Sequence, residues 1–181
     1  MGNYVAFLRG INVGGHHKVP MAELRIAFEK MGCTKVTTIL NSGNVLFESD
    51  QVLSDSEISK RLESIFGFPI PTQTREFSAL KKFHSEDPFK EIEITKDTRL
   101  YISFLPEERQ ADLTIPWTNE DGSFQILKKE GRNIFSTLDL SLSKTPKAME
   151  VLEKSYGNDI TTRNWNTIGR ILKKAESLGW H

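Results

Sequence analysis

Apolar residues recur with regular spacing along most of the chain. A short apolar run at residues 4–8 predicts a buried strand. Apolar residues then recur at spacings of three and four, the period of one helix face. These positions are Met21, Leu24, Phe28 and Met31. Because Pro20 suits a first helical turn and Gly32 suits a C-terminal cap, the pattern predicts a helix between them.

Two strands, a second helix and an edge strand are predicted next. Residues 36–40 (VTTIL) and 44–47 (NVLF) are rich in strand-forming residues and flank a run of turn-forming residues, which predicts two strands joined by a tight connection. Ser54 and Glu57 have the spacing of a capping box, and so mark the start of a helix. The polar, proline-bearing stretch 69–74 suits a strand at the edge of a sheet. The predicted order is βαββαβ.

The second half of the chain repeats this order after a helical, acidic connector. The further predicted elements are a strand at 99–105, a weak helix at 106–113, a hairpin turning at Glu130 and Gly131, a helix opening at Thr145 and Pro146, a strand at 160–165 and an extra C-terminal helix. The sequence thus predicts an α+β fold of two tandem ferredoxin-like βαββαβ plaits. The predicted domains are residues 1–78 and 99–181, joined by the connector 79–98.

Composition places the chain among ordinary folded proteins. Its 181 residues are 38% hydrophobic and 27% charged, so disorder is not expected. The single cysteine, Cys33, excludes an intrachain disulfide and a cysteine-cluster metal site, and fits a reducing compartment. No apolar run approaches the ~18 residues of a membrane span, and the N-terminus enters a strand pattern at once, without a signal peptide. We expect a cytoplasmic protein that does not contact a membrane.

The net charge of zero hides a basic C-terminal third. Residues 123–181 carry ten basic and six acidic side chains. This excess keeps nucleic acid open as a partner, and a solvated helix face carrying Lys173 and Lys174 explains it equally well. The isoelectric point near 6.9 is far from that of a protein that depends on phosphate contacts.

The stretch LRGINVGGHHKVPMAEL, residues 8–24, is the main candidate for chemistry. Its three glycines together cost about 2 kcal/mol in ordering entropy, which suggests a function for the loop. In a plait, this loop and the turn at residues 41–44 lie at the same end of the sheet. The predicted ligand-binding residues are Arg9, Gly10, Asn12, Gly14, Gly15, Lys18, Asn41, Ser42, Gly43 and Asn44. Two cations, neutral amides and a helix N-terminus suit an anion such as phosphate or carboxylate.

Simpler or different interpretations of this loop remain. The glycines also suit a tight turn alone, with the asparagines bonded to local backbone groups. Gly10 and Gly15 have the spacing of a P-loop, but His16 and His17 replace the lysine and hydroxyl residue, which argues against nucleotide hydrolysis of that type. Adjacent histidines point apart, so no metal site is predicted. We expect surface imidazoles, or one histidine that titrates near a bound anion.

Other candidate chemistry is sparse. Cys33 follows a helix end and is expected to be an inert apolar residue rather than a nucleophile. The stretch TTRNWNT, residues 161–167, is a second candidate cluster: Arg163 and Trp165 suit a clamp on a planar or anionic group that Asn164 orients. The alternative is that Trp165 anchors the last helix, with Asn164 or Asn166 as its cap.

Several of these stretches together resemble a known family. The stretches are YVAFLRGINVGG, PMAELR, SGNVLFES, DPF, YISFL and TTRNWNT, and the chain is identified from them as a member of the bacterial family of unknown function DUF1697. The similarity runs from about residue 4 to residue 172. It implies tandem ferredoxin-like plaits and no known activity. The family positions filled here are Arg9, Gly10, Asn12, Gly14, Gly15, Ser42, Gly43, Asn44, Arg163, Asn164 and Trp165. Members often carry another polar residue at the position of His16.

The favoured hypothesis from the sequence is binding of an anionic small molecule, such as a nucleotide or phosphorylated metabolite. If the protein is an enzyme, Arg9, Lys18 and backbone N–H groups would stabilise developing negative charge, but no general base is evident. No cofactor is predicted, and the oligomeric state is open. One alternative is a nucleic-acid-binding plait. It is disfavoured because neither NVLFES nor YISFL has the stacked aromatic residues of RNA-recognition plaits. The other alternative is a structural or partner-binding protein.

Overall fold

The computed structural model describes residues 1–181 and is a mixed α+β structure with two antiparallel sheets and five helices. The helices are α1 (Met21–Lys30), α2 (Asp55–Phe66), α3 (Phe77–Glu86), α4 (Thr145–Tyr156) and α5 (Trp165–Ser177). The strands are β1 (Gly2–Leu8), β2 (Thr34–Ile39), β3 (Asn44–Ser49), β4 (Thr72–Glu76), β5 (Thr98–Phe104), β6 (Trp117–Thr118), β7 (Phe124–Glu130), β8 (Asn133–Asp139) and β9 (Thr161–Asn164). No helix is both long enough and apolar enough to cross a membrane.

The first sheet has the strand order β2-β3-β1-β4, with every neighbouring pair antiparallel. Phe7 of β1 lies opposite Asn44 of β3, so β1 ends where β3 begins. The loop after β1 and the turn before β3 therefore leave the sheet at the same end. The polar stretch predicted as an edge strand contributes β4, which is an edge strand of this sheet.

Helices α1 and α2 contribute to one apolar core with the first sheet. Ala6 and Leu8 of β1 and Val45 and Phe47 of β3 belong to this core. Alternate residues of a strand face opposite sides, yet Leu46 is as fully buried as its neighbours. The sheet is therefore covered on both faces at β3, as the continuous apolar run in the sequence indicates.

The predicted start of α2 is confirmed. Ser54 Oγ accepts a hydrogen bond from the Glu57 amide at 3.2 Å, and a Glu57 side-chain oxygen accepts one from the Ser54 amide at 3.0 Å. Two backbone donors of the first turn are thereby satisfied, because each cap residue serves the other. These hydrogen bonds to Ser54 lower the pKa of Glu57. The helix ends at Gly67, whose φ of 82° is left-handed.

The second sheet has the order β6-β7-β8-β5-β9. The weak helix predicted at residues 106–113 is wrong, because these residues form no regular helix. Alternate side chains of residues 111–117 pack on the core of this sheet instead, and these are Ala111, Leu113, Ile115 and Trp117. The hairpin turn between β7 and β8 consists of Gly131 and Arg132 rather than Glu130 and Gly131, because Glu130 pairs with Asn133.

An arginine fastens the start of this irregular segment. The Arg109 guanidinium donates to both carboxylate oxygens of Asp159, at 2.6 and 2.9 Å, and to the Tyr156 carbonyl at 2.8 Å. These bonds to Asp159 raise the pKa of Arg109. Gly157 lies against the guanidinium, and a Cβ at this position would overlap it. The segment is thus tied to the end of α4 by a bidentate ion pair.

The chain divides into two compact units. The first comprises Met1–Lys82 and Ile171–His181, and the second comprises Phe83–Arg170. In the first unit, the Trp180 ring packs edge-on against Phe77, and its indole N–H donates to Glu48 at 3.1 Å. The division into residues 1–78, 79–98 and 99–181 remains a prediction.

Candidate functional site

The loop between β1 and α1 has an unusual backbone. Five of its residues have positive φ, and these are Gly10, Asn12, Gly14, Gly15 and His17. The Val13 carbonyl accepts a bond from the His16 amide at 3.1 Å, and the His17 carbonyl accepts one from the Asn12 amide at 3.0 Å. Residues 12–17 therefore form a small closed turn that projects from the end of the sheet.

Asn12 fixes this turn to the rest of the first unit. Its side-chain oxygen accepts a bond from the Val19 amide at 2.8 Å. Its side-chain nitrogen donates to the Val19 carbonyl at 3.0 Å and to the Asn41 carbonyl at 2.8 Å. The oxygen and nitrogen of the amide are both engaged within the protein. Asn12 thus holds the loop in position rather than offering its amide to a ligand.

The turn at residues 41–44 packs closely against the loop. The Leu8 amide donates to the Gly43 carbonyl at 2.8 Å. A Cβ at Gly43 would lie 2.8 Å from Leu8 Cβ and 2.8 Å from Ile11 Cδ1, and the φ of Gly43 is 82°. Only glycine satisfies both the spacing and the backbone conformation at this position. The structure therefore brings together the two stretches that the topology predicted to be neighbours.

A cleft of about 390 Å³ opens between the loop, this turn and the start of α1. Its lining residues are Asn12, Gly15, Lys18, Val19, Pro20, Met21 and Asn41. Four of these residues belong to the predicted set: Asn12, Gly15, Lys18 and Asn41. The sequence prediction missed Val19, Pro20 and Met21, although Pro20 carried a usable signal as the residue at which a helix begins.

The start of α1 has unsatisfied hydrogen-bond donors. Its cap residue is Pro20, and no side chain caps the helix. The first intrahelical bond runs from the Leu24 amide to the Pro20 carbonyl at 3.0 Å. The three preceding amides, at Met21, Ala22 and Glu23, have no acceptor in the protein. An uncapped N-terminus carries roughly half a positive charge, so this side of the cleft is electropositive.

Lys18 adds a full positive charge at the cleft. It is exposed and forms no ion pair or hydrogen bond with another side chain. It is also the only titratable residue among those that line the cleft. The chemical character of the cleft is therefore cationic, with apolar walls from Val19 and Met21.

Several other predicted residues do not line this cleft. Arg9 is half-buried, and its amide donates to the Pro71 carbonyl at 2.9 Å. Asn44 is fully buried and donates to the Ile39 carbonyl at 2.8 Å and to Ser42 Oγ at 3.2 Å. These contacts stabilise the end of the sheet and the turn. Gly10, Gly14, Ser42 and Gly43 are also absent from the lining.

The two adjacent histidines differ in their surroundings. The His17 ring stacks on Phe68, with the ring centroids 4.3 Å apart. Its Nδ1 atom lies 3.3 Å from the Gly10 carbonyl oxygen, so the ring helps to close the base of the loop. His16 is exposed at the end of the small turn. No group of three or more histidine, cysteine or acidic side chains is arranged to hold a metal ion.

The second candidate cluster, residues 161–167, has extensive internal contacts. Trp165 is buried and packs edge-on against Phe89 and Phe135. Asn164 Oδ1 accepts a bond from the Asn166 amide at 2.9 Å in the first turn of α5. Burial lowers the pKa of Arg163 to about 10, which leaves its guanidinium charged at neutral pH. These contacts match the structural alternative given for this stretch, and the clamp on a planar ligand stays a prediction.

Cys33 belongs to the core of the first unit and is 4% exposed. Burial raises the pKa of its thiol to about 11, although Arg61 opposes the shift. A buried thiol that stays protonated at neutral pH is a poor nucleophile.

Comparison with known proteins agrees with this α+β architecture. The chain belongs to the family described as protein of unknown function DUF1697, whose model matches residues 1–135. The stretch TTRNWNT therefore lies outside the matched residues. The structure is similar to that of the conserved bacterial protein SP0830 from Streptococcus pneumoniae, with a TM-score of 0.65 and 23% identity. That similarity covers 95% of this chain and 97% of SP0830, and it extends to the fold alone. No curated protein matches the sequence.

Proposed function

We propose that this protein binds a small molecule through an anionic group, a phosphate or a carboxylate, at the start of α1. The observation that carries the proposal is the uncapped N-terminus of α1, which lies at a cleft that also contains the unpaired Lys18. Backbone amides at a helix start bind anions because their N–H groups and the helix dipole both favour negative charge.

The rest of the cleft indicates the size of the ligand. Its volume of about 390 Å³ lies at the small end of the range for ligand pockets. Val19 and Met21 provide apolar contact, and Asn41 provides polar contact. This combination supports a nucleotide or phosphorylated metabolite, with its charged end at Lys18.

The proposal concerns binding rather than acid–base catalysis. Proton transfer requires a titratable group within hydrogen-bond reach of the reacting atoms. Lys18 is the only such group in the lining, and no carboxylate or imidazole is among these residues. The rigid attachment of the loop through Asn12 supports a preformed site, since the loop need not be ordered when the ligand arrives.

A thermal-shift screen of inorganic phosphate, nucleotides, phosphosugars and simple carboxylates tests the proposal. A ligand at one hundred times its dissociation constant stabilises the folded protein by about 2.7 kcal/mol, which is easily measured. Lys18→Gln should abolish most of the shift, whereas Lys60→Gln, which removes an exposed lysine on α2, should preserve it. If no compound stabilises the wild-type protein more than the Lys18→Gln variant, the proposal is wrong.

We further propose that both units are ferredoxin-like and that the protein is cytoplasmic. The order β2-β3-β1-β4 with two helices supports this fold for the first unit. In the second unit, β7-β8-β5-β9 follows the same order with one helix fewer, since an extended segment replaces the helix after β5. The single free cysteine supports a reducing location.

A further inference from the structure

The two edges of the first sheet differ in how their backbone groups are satisfied. At the β4 edge, Ser59 Oγ accepts a bond from the Thr72 amide at 3.0 Å. Asp55 Oδ1 accepts one from the Thr74 amide at 2.8 Å. These side chains of α2 occupy the donors that another strand would need. The β4 edge is therefore closed to further pairing.

The β2 edge has no such protection. Residues 36–39 are partly exposed and bond only to β3, apart from the Asn44 side chain on the Ile39 carbonyl. Alternate N–H and C=O groups of an edge strand point away from its neighbour, and here only the Ile39 carbonyl has a further hydrogen-bond partner. All four of these residues are uncharged and β-branched, so the stretch strongly favours a strand; they are Val36, Thr37, Thr38 and Ile39. Leu40, directly after β2, is 44% exposed.

The start of β2 limits where a new strand is able to pair. The register with β3 shifts between Thr34 and Thr37, and Lys35 has a φ of 49° within this irregularity. A bulge of this kind bends the strand and interrupts a straight edge. The Lys35 Nζ atom lies 3.0 Å from Glu48 Oε1, so its charge is paired within the same sheet. The open edge is thus an uncharged stretch at residues 36–40.

The edges of the second sheet are less suitable for pairing. β6 has two residues, and β9 has four and continues directly into α5. Short edge strands are one of the ways in which proteins prevent unwanted pairing. The β2 edge is therefore the one on which strand addition is favoured.

We propose that β2 pairs antiparallel with β2 of a second copy of this chain, which joins two four-stranded sheets into one of eight strands. A two-fold axis perpendicular to the sheet places residues of the same face opposite each other, so the pairing centres on Thr37 or on Thr38. No like charges meet across such an axis, because residues 36–40 carry none. Threonines that lie opposite each other are also favourable cross-strand pairs.

A second copy fits this edge because the uncharged stretch does not repel an identical strand, and the resulting interface is closed by its geometry. Each copy offers one open edge and one edge that α2 closes, so pairing ends at two chains. An edge open on both sides would instead lead to an extending assembly. A two-fold pair is also the commonest arrangement of identical subunits.

Sedimentation velocity of the full chain over a hundredfold range of concentration tests the proposal. The wild-type protein should approach twice its monomer mass as concentration rises. Thr37→Lys places two positive charges close to the two-fold axis and should yield a monomer at every concentration. Thr34→Lys, the same substitution before the bulge, should leave the dimer unchanged. Circular dichroism of each variant establishes that it is folded.

A charge-exchange experiment distinguishes the loss of β2 pairing between two copies from a general disruption of the fold by the substitution. Thr37→Lys and Thr37→Glu should each be monomeric alone and should form a mixed dimer when combined, because opposite charges then meet near the axis.

Amide hydrogen exchange of the wild-type protein adds a readout that needs no variant, since protection of β2 should increase with concentration and that of β4 should not. A wild-type monomer at every concentration would overturn the proposal and leave the edge to a strand of another protein. A dimer that persists in a folded Thr37→Lys variant would also overturn it.

Discussion

The side-chain nitrogen of Asn12 lies 2.8 Å from the backbone carbonyl oxygen of Asn41, across 29 positions of sequence. This hydrogen bond connects the glycine loop to the turn before β3. The same Asn12 amide bonds both the N–H and the C=O of Val19. One side chain therefore holds together the three stretches that surround the cleft.

Asn12→Ala should destabilise the protein by about 2–3 kcal/mol, because it removes three hydrogen bonds and leaves backbone groups without partners. Urea unfolding measures the change. Asn41→Ala is the matched control: the bond uses the Asn41 backbone carbonyl, which the substitution retains, so stability should change little. Equal losses in the two variants would contradict this role for Asn12.

Gly43→Ala should be more damaging than Gly14→Ala. A Cβ at Gly43 would approach both Leu8 and Ile11 to 2.8 Å, whereas a Cβ at Gly14 would meet nothing within 4 Å. Both residues have positive φ, so both variants suffer backbone strain of about 1 kcal/mol. Overpacking should add roughly 1–3 kcal/mol at Gly43 alone. Thermal unfolding of the two variants checks the difference, and a smaller loss at Gly43 would exclude close packing at the turn.

The Cys33 thiol should react slowly with iodoacetamide in the folded protein at neutral pH and readily in urea. Burial raises the pKa of the folded-state thiol from its ordinary value of 9.0 to about 11, whereas the thiol of the unfolded chain keeps the ordinary value. As pH rises through this interval, the unfolded state loses its proton first, and the free energy of unfolding decreases.

Cys33→Ala provides the control for this pH dependence. The variant lacks the thiol, so its stability relative to wild type should improve as pH rises through the same interval. Urea unfolding at several pH values measures the difference between the two proteins. A difference that is independent of pH would show that the thiol titrates alike in both states.

Arg109→Ala should destabilise the second unit by about 1–2 kcal/mol, since the hydrogen bonds to Asp159, the Tyr156 carbonyl and Glu107 are lost and Asp159 remains partly accessible to water. Lys129→Ala removes a longer ion pair to Glu108, at 3.6 Å, and should cost less than about 0.5 kcal/mol. Unfolding at low and high salt compares them. Equal costs would show that the bidentate geometry contributes nothing.

Local signals in the sequence predicted local structure well. The capping box at Ser54 and Glu57 depends on neighbours three positions apart, and it forms as expected. The segment at residues 106–113 is different, because its charged residues favour a helix locally. The alternation of Ala111, Leu113, Ile115 and Trp117 has the period of an extended chain, and packing of these side chains on the core determined the outcome.

The candidate site shows a similar limit. Strand order sufficed to predict that the glycine loop and the turn at 41–44 are neighbours. Residue type did not reveal which polar groups were already used: Asn12 and Asn44 looked suited to a ligand, yet their amides bond backbone groups. Whether the backbone amides at the start of α1 find acceptors depends on three-dimensional contacts, so their number is known only from the structure.

The first unit is built from two segments that are far apart in sequence, and this affects its folding during synthesis. The first unit needs residues 171–181, including Trp180 against Phe77 and Glu48, in addition to its first 82 residues. On the ribosome, the strands of its sheet emerge early, but the segment that completes the unit is translated after the whole second unit. The unit that begins to form first is therefore completed after the second, and its Glu48 and Phe77 lack their final partner until the second unit has been translated.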